Sequence, residues 1–156
     1  MRNNPLCMKI LLPVSTVCLA LSFFISSCGK DDNPAPAKTK TELITQSTWK
    51  FDKAMSGGFD VSAFVPACWK DNIAVFVNNG TGTLDESAVV CMPSVAGAFT
   101  WAFQSNETIL HLSAPLFPGG SGDFMLISLT ETNLVVSQNI TIPPNPPTDV
   151  EFTFKH

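Results

Sequence analysis

A chain of 156 residues with a formal charge of −4 has room for one small domain and lacks the basic face that a nucleic-acid groove needs. With 45% hydrophobic and 14% charged residues it is no disordered chain. Two histidines and no dense Cys/His cluster argue against a multi-ligand zinc site, and no cofactor or metal is expected.

Residues 1–27 read as a secretory signal. Arg2 and Lys9 give a positive start, and Ile10 to Ile25 is an uncharged apolar run broken only by Pro13, Ser15, Thr16 and Ser22. That run is short for a spanning helix, which needs about 20 residues. The alternative is an uncleaved membrane anchor. The run ends in Ile25-Ser26-Ser27-Cys28-Gly29, which is similar to the lipobox of bacterial lipoproteins. The chemistry explains the pattern: a membrane-embedded peptidase needs small residues at the scissile bond, and the Cys28 thiol carries a diacylglyceryl thioether before cleavage exposes its amine. Two or three acyl chains suffice for stable anchoring. The plainer role for Cys28 is a disulfide partner.

Lys30-Asp31-Asp32 follows at once and resembles the surface-export signal of Bacteroidota-type lipoproteins; its bland reading is a solvated spacer. The expected location is the outer membrane, lipid-anchored at the cell surface, with the periplasmic face as the alternative. Residues 28–42, rich in Pro, Lys and acid after Cys28, read as a tether, which leaves 43–156 as the folded domain.

Period-two segments bounded by turn residues then predict strands. Trp49 to Lys53 alternates, with Trp49 and Phe51 on one face. Phe59 to Ala67 reads as a short helix or lid, hinged at Gly57-Gly58 and ended by Pro66. Asn72 to Val77 is a strand, Asn78 to Gly82 a turn whose Asn and Gly accept positive φ, and Thr83-Leu84 a short return. Ala98 to Phe103 puts Phe99, Trp101 and Phe103 on one face, and Ser105-Asn106-Glu107 turns into Thr108 to Leu112. Leu116 to Gly122 is a Pro/Gly loop. Asp123 to Leu129 and Leu134 to Gln138 flank a turn at Thr130 to Asn133. Prolines 143, 144, 146 and 147 interrupt pairing before the last strand, Val150 to Phe154. The prediction is an all-β domain, an antiparallel meander of about eight strands curling into a barrel or half-barrel.

With Cys7 and Cys18 in the signal and Cys28 lipidated, Cys68 and Cys91 remain as an even pair in an oxidising setting. A bridge between them would close about two dozen residues and contribute roughly 3 kcal/mol. The alternative is a reactive or metal-binding thiol pair, but neither has a nearby His and there is no C-x-x-C.

The stretches STWKFD, CWKDNIAVFVNNGTGTLDE, VVCMPS, FTWAFQSNETILHL, FMLISLTETNLVVS and VEFTFKH, spanning nearly the whole domain from Leu43, resemble the lipocalin-like domain of Bacteroidota-type lipoproteins. The resemblance implies a lipocalin-like β-barrel or half-barrel outside the cytoplasm. It implies no particular ligand. The Pro-rich 143–147 insert departs from the tight hairpins usual in the family.

For a binding module, an eight-stranded barrel has an interior just wide enough for side chains or one small ligand. Trp49, Phe51, Phe76, Trp101, Phe103, Phe124, Phe152 and Phe154 are its candidate lining, and filling the core is their plainer role. Trp69, beside Cys68, is a candidate rim contact. Twelve Phe and no Tyr tilt any pocket toward apolar cargo.

An enzyme is not expected. His111 reads as an outward strand residue, His156 as a frayed terminus, Asp85-Glu86 as solvated turn charge, and Gly119-Gly120-Ser121-Gly122 lacks the Lys and helix of a phosphate loop. The sequons at Asn79, Asn106 and Asn139 have no role in a bacterial setting. The expectation is a small apolar ligand or a surface partner, the alternative a non-binding accessory subunit of a surface complex.

Overall fold

The computed structural model describes residues 36–156. The predicted signal 1–27, the lipidation site Cys28 and the export residues Lys30, Asp31 and Asp32 lie outside the described residues.

The domain is all-β. In chain order come helix α1 (Lys40–Ile44), strands β1 (Thr48–Ser56) and β2 (Phe59–Asp60), helix α2 (Ala67–Lys70), then β3 (Ile73–Val77), β4 (Thr81–Asp85), β5 (Gly97–Gln104), β6 (Ile109–Leu112), β7 (Asp123–Leu129), β8 (Asn133–Ile140) and β9 (Thr148–Lys155). Every pairing is antiparallel, in the order β2-β1-β3-β4-β5-β6-β7-β8-β9, and β9 returns to β1. The sheet thus closes into a ring of eight strands, with β2 as a flap on β1, so no long edge is left unpaired among them.

Alternation sets the inner face. Ala74 and Phe76, Phe99 and Trp101, Leu110 and Leu112, Leu134 and Val136, and Val150, Phe152 and Phe154 all point inward and are buried. Two bulges change the parity. Between Phe51 and Lys53 the register slips, so Trp49 and Phe51 face inward but the next inward residue is Ala54. A second slip lies between Leu126 and Ser128. Gly82 has no room for a side chain: a Cβ there would stand 2.4 Å from the Phe99 ring and 2.6 Å from the Val75 carbonyl oxygen.

The ring has two unlike ends. At the near end lie α1, the C-terminus and the turns 78–80, 105–108 and 130–132. Helix α1 takes in Lys40 to Glu42, so the folded part begins before Leu43 and the end of the expected tether is helical. The reason is a capping box: Thr39 Oγ1 accepts from Glu42 N at 3.2 Å, and a Glu42 carboxylate oxygen accepts from Thr39 N at 2.7 Å. The Thr39 backbone N–H, and then the Thr39 hydroxyl donating to the same carboxylate oxygen at 2.9 Å, hold the Glu42 carboxyl below its ordinary pKa. Ile44 is fully buried, and its carbonyl accepts from Trp49 Nε1 at 2.7 Å.

Lys40 Nζ donates to the Glu107 carbonyl at 2.8 Å, clamping a turn in which Ser105, Asn106 and Glu107 all hold positive φ. His156 is not frayed as expected. Its ring centroid lies 4.2 Å from that of Trp49, and its nitrogens meet the carbonyls of Thr48 and Glu131.

At the far end lie the β1–β2 hairpin and the connections 61–72, 86–96, 113–122 and 141–147. Residues 59–66 form no helix, and only Ala67 of the expected segment is helical, as the first residue of α2. Gly57 and Gly58, with φ of 56° and 83°, make a two-residue hairpin turn, so Phe59 and Asp60 pair back onto β1. The helix comes later, after Pro66.

Candidate functional site

Side chains fill the ring interior. Trp49, Trp69, Phe76, Trp101, Phe124, Phe152 and Phe154 are buried, while Phe51 and Phe103 are partly buried against the same cluster. Phe76 meets Phe99 and Trp101 edge-on, with centroids 5.4 and 5.6 Å apart, and Trp101 meets Phe103 at 5.6 Å. Trp101 Nε1 donates to the carbonyls of Val77 and Thr81, which ties the aromatic stack to the β3–β4 hairpin.

Trp69 is not at the rim. It is 4% exposed and stacks on Phe117 at 4.8 Å. The reason is the covalent frame around it: Cys68 is bonded to Cys91 with S–S 2.03 Å, and Cys91 is itself buried, so α2 is drawn in over the ring mouth. Phe117 is the residue that sequence reasoning missed. It comes from the 113–122 loop, is fully buried, and packs on Phe152 at 4.7 Å. An apolar Leu116-Phe117 pair inside a Pro/Gly loop was the available signal.

Asp85 and Glu86 part company. Asp85 is exposed, as expected for turn charge. Glu86 is buried at 3% exposure and organises the 86–96 loop: Ser94 Oγ donates to it at 2.6 Å and Val95 N at 2.9 Å. Those bonds, Ser94 first, hold its carboxyl below the ordinary range. Asp71 supports the same loop by accepting from the backbone N–H groups of Ala88 and Val89.

Two clefts open on the outside of the domain, and neither is lined by any of the nine predicted residues. The smaller is a far-end crevice of 320 Å³ between the β1–β2 hairpin and the Pro-rich 141–147 connection. Phe59, Val61, Ile142, Pro146 and Val150 give it an apolar wall. Ile142 and Val150 form a buried base, while Phe59 is 76% exposed.

The larger is a side groove of 670 Å³ on the outer face of β7, β8, β9 and the end of β1. Register lays out its floor. One row runs Met55, Glu151, Ser137 and Met125 across neighbouring strands. A second row pairs Asp149 with Asn139, and Asp123 with His111 on β6.

His111 faces outward as predicted, its Nδ1 2.5 Å from Asp123 Oδ1. Ser121, from the Gly119–Gly122 segment, lines one wall. Buried Gln138 grips it by donating to the Ser121 carbonyl at 3.0 Å and the Asp123 carbonyl at 2.9 Å. Gly122 is required there, since a Cβ would lie 2.0 Å from the Leu112 oxygen.

No protein-family model matches the chain, and no curated protein matches it.

Proposed function

We propose that the chain is a lipid-anchored, extracytoplasmic binding domain of the lipocalin-like Bacteroidota lipoprotein type, which takes a small apolar group at the far-end crevice and catalyses no reaction. The observation that carries the ligand reading is that crevice, 320 Å³ with an apolar base and a free aromatic at its lip. Its volume falls at the lower edge of the range for small-molecule pockets, about 300–1,000 Å³. The packed interior argues for taking the ligand at the mouth of the ring and not at its centre. The lipobox ending in Cys28 and the Lys30-Asp31-Asp32 run support the anchor and the surface location. The described chain enters the ring at the near end, and the crevice lies at the far end.

Native mass spectrometry of the full chain isolated from its own host tests the ligand. A retained apolar molecule that is lost on Phe59→Ser supports the crevice; an empty chain, or equal retention in both forms, rejects it. Radioactive palmitate should label the wild type and not Cys28→Ala, and equal labelling would remove the anchor.

One observation favours the accessory-subunit reading. Val89, Val90 and Met92 are exposed on the disulfide-tied loop at the same end. A photo-crosslinker at Met92 that captures one host protein, while a crosslinker at near-end Val77 does not, would favour that role over a carrier.

A further inference from the structure

We propose that the side groove binds an aliphatic polyamine, with its ammonium groups on the groove carboxylates and its methylene chain on the apolar floor. This site is separate from the crevice and does not rest on the function proposed for it. Its starting point is a concavity of 670 Å³ whose lining combines Asp123, Asp149 and Glu151 with Met55, Met125 and Ile127, and includes no Lys or Arg.

Four carboxylates elsewhere on the described surface each meet a lysine, Asp52 with Lys155, Asp60 with Lys53, Glu107 with Lys40 and Glu131 with Lys38, whereas exposed Asp85 accepts only from the Ser87 backbone N–H. In the groove Asp149 meets only the Asn139 amide, Asp123 meets His111, and Glu151 has no ion pair or side-chain hydrogen bond among the described residues. The groove thus gathers three carboxylates with no Lys or Arg in its lining.

Spacing then narrows the ligand. Asp149 and Glu151 are two residues apart on β9, so their Cα atoms are roughly 7 Å apart, and Asp123 lies two strands away, roughly 10 Å. One metal ion could not reach all three. A chain bearing two or three amines on short alkyl spacers could. Met125 is 60% and Ile127 48% exposed, so the floor offers uncovered apolar surface to the spacers. The walls are set before binding: the Gly57-Gly58 turn stands on one side, and the Ser121 segment, held by Gln138, on the other.

The test is isothermal titration calorimetry of the full chain in detergent with spermidine as probe. One site per chain is expected, with an affinity that falls as salt rises. The isosteric double variant Asp149→Asn/Glu151→Gln should weaken it by about tenfold, as two partly screened charge pairs would. Met125→Ser should weaken it by a smaller factor, while Asp52→Asn, outside the groove, should leave it unchanged. Absence of a binding isotherm, an unchanged isotherm in the double variant, or equal displacement by magnesium at matched concentration would overturn the proposal, the last by reducing the interaction to charge screening.

Discussion

The two ends of the ring are built by different physics. The near end is made of tight turns whose chemistry is local: Asn79 Oδ1 accepts from Thr81 N at 3.0 Å across its own turn, and Thr130 Oγ1 accepts from Asn133 N at 3.0 Å across another. Helix α1 and His156 are then laid over these turns. The far end is made of long connections that need distant partners: a disulfide, a buried carboxylate, and an aromatic plug from a loop. It also carries five of the eight large exposed apolar side chains of the described residues, Phe59, Phe64, Val89, Val90 and Met92. The near end is therefore a closed base, and the far end carries most of the exposed apolar loop surface of the described residues.

If that contrast is right, the largest single effect should come from the plug. Phe117→Ala should destabilise the fold by about 3–5 kcal/mol, the cost of emptying a fully buried aromatic site, measured by urea unfolding. A loss below about 1 kcal/mol would mean that the 113–122 loop merely rests on the ring.

Next, replacing Cys68 and Cys91 together by Ala should cost about 3 kcal/mol through the loop entropy returned to the unfolded chain. Amide exchange should then quicken in 86–96 while β8 and β9 stay protected, because the bridge holds the far end alone. Uniform loosening would blur the distinction between the ends.

At the near end, Thr39→Ala removes the capping box and should cost about 1 kcal/mol, seen as a lower unfolding midpoint. An unchanged midpoint would show that burial of Ile44, and not the cap, seats α1.

The smallest effect is one of pH. Glu86 has a folded pKa held below its ordinary value of 4.5, so its stabilisation is complete above that value and disappears as pH falls through the folded pKa. Glu86→Gln should therefore lower stability at pH 7 and approach the wild type as the pH falls below the folded pKa of Glu86. A constant gap across that range would assign the effect to packing and not to charge.

Much of the near end was legible because its signals are short-range. The Asn-Gly turn, the strand alternations and the Thr130–Asn133 turn follow from neighbouring residues, and all lie in the structure near where the sequence puts them. The far end was less legible for the complementary reason. Gly57-Gly58 is locally a hinge or a hairpin turn, and only pairing with β1 decides which. Trp69 beside a cysteine looks like a rim residue until the bridge draws it inward. Glu86 looks solvated until Ser94 and Val95, eight and nine residues on, return to it. The side groove was invisible because its rows come from β1, β7, β8 and β9, far apart along the chain.

The sequence by itself determined the all-β class, the antiparallel order, most turn positions and the pairing of Cys68 with Cys91, because alternation, turn chemistry and cysteine count are properties of short segments or of composition. Tertiary structure decided that the aromatic faces pack solid, that Phe117 closes the core, that two bulges reset which residues face inward, and that the open clefts lie outside the ring. Those outcomes depend on how much volume distant side chains leave to one another once the ring has closed, and no local pattern carries that information.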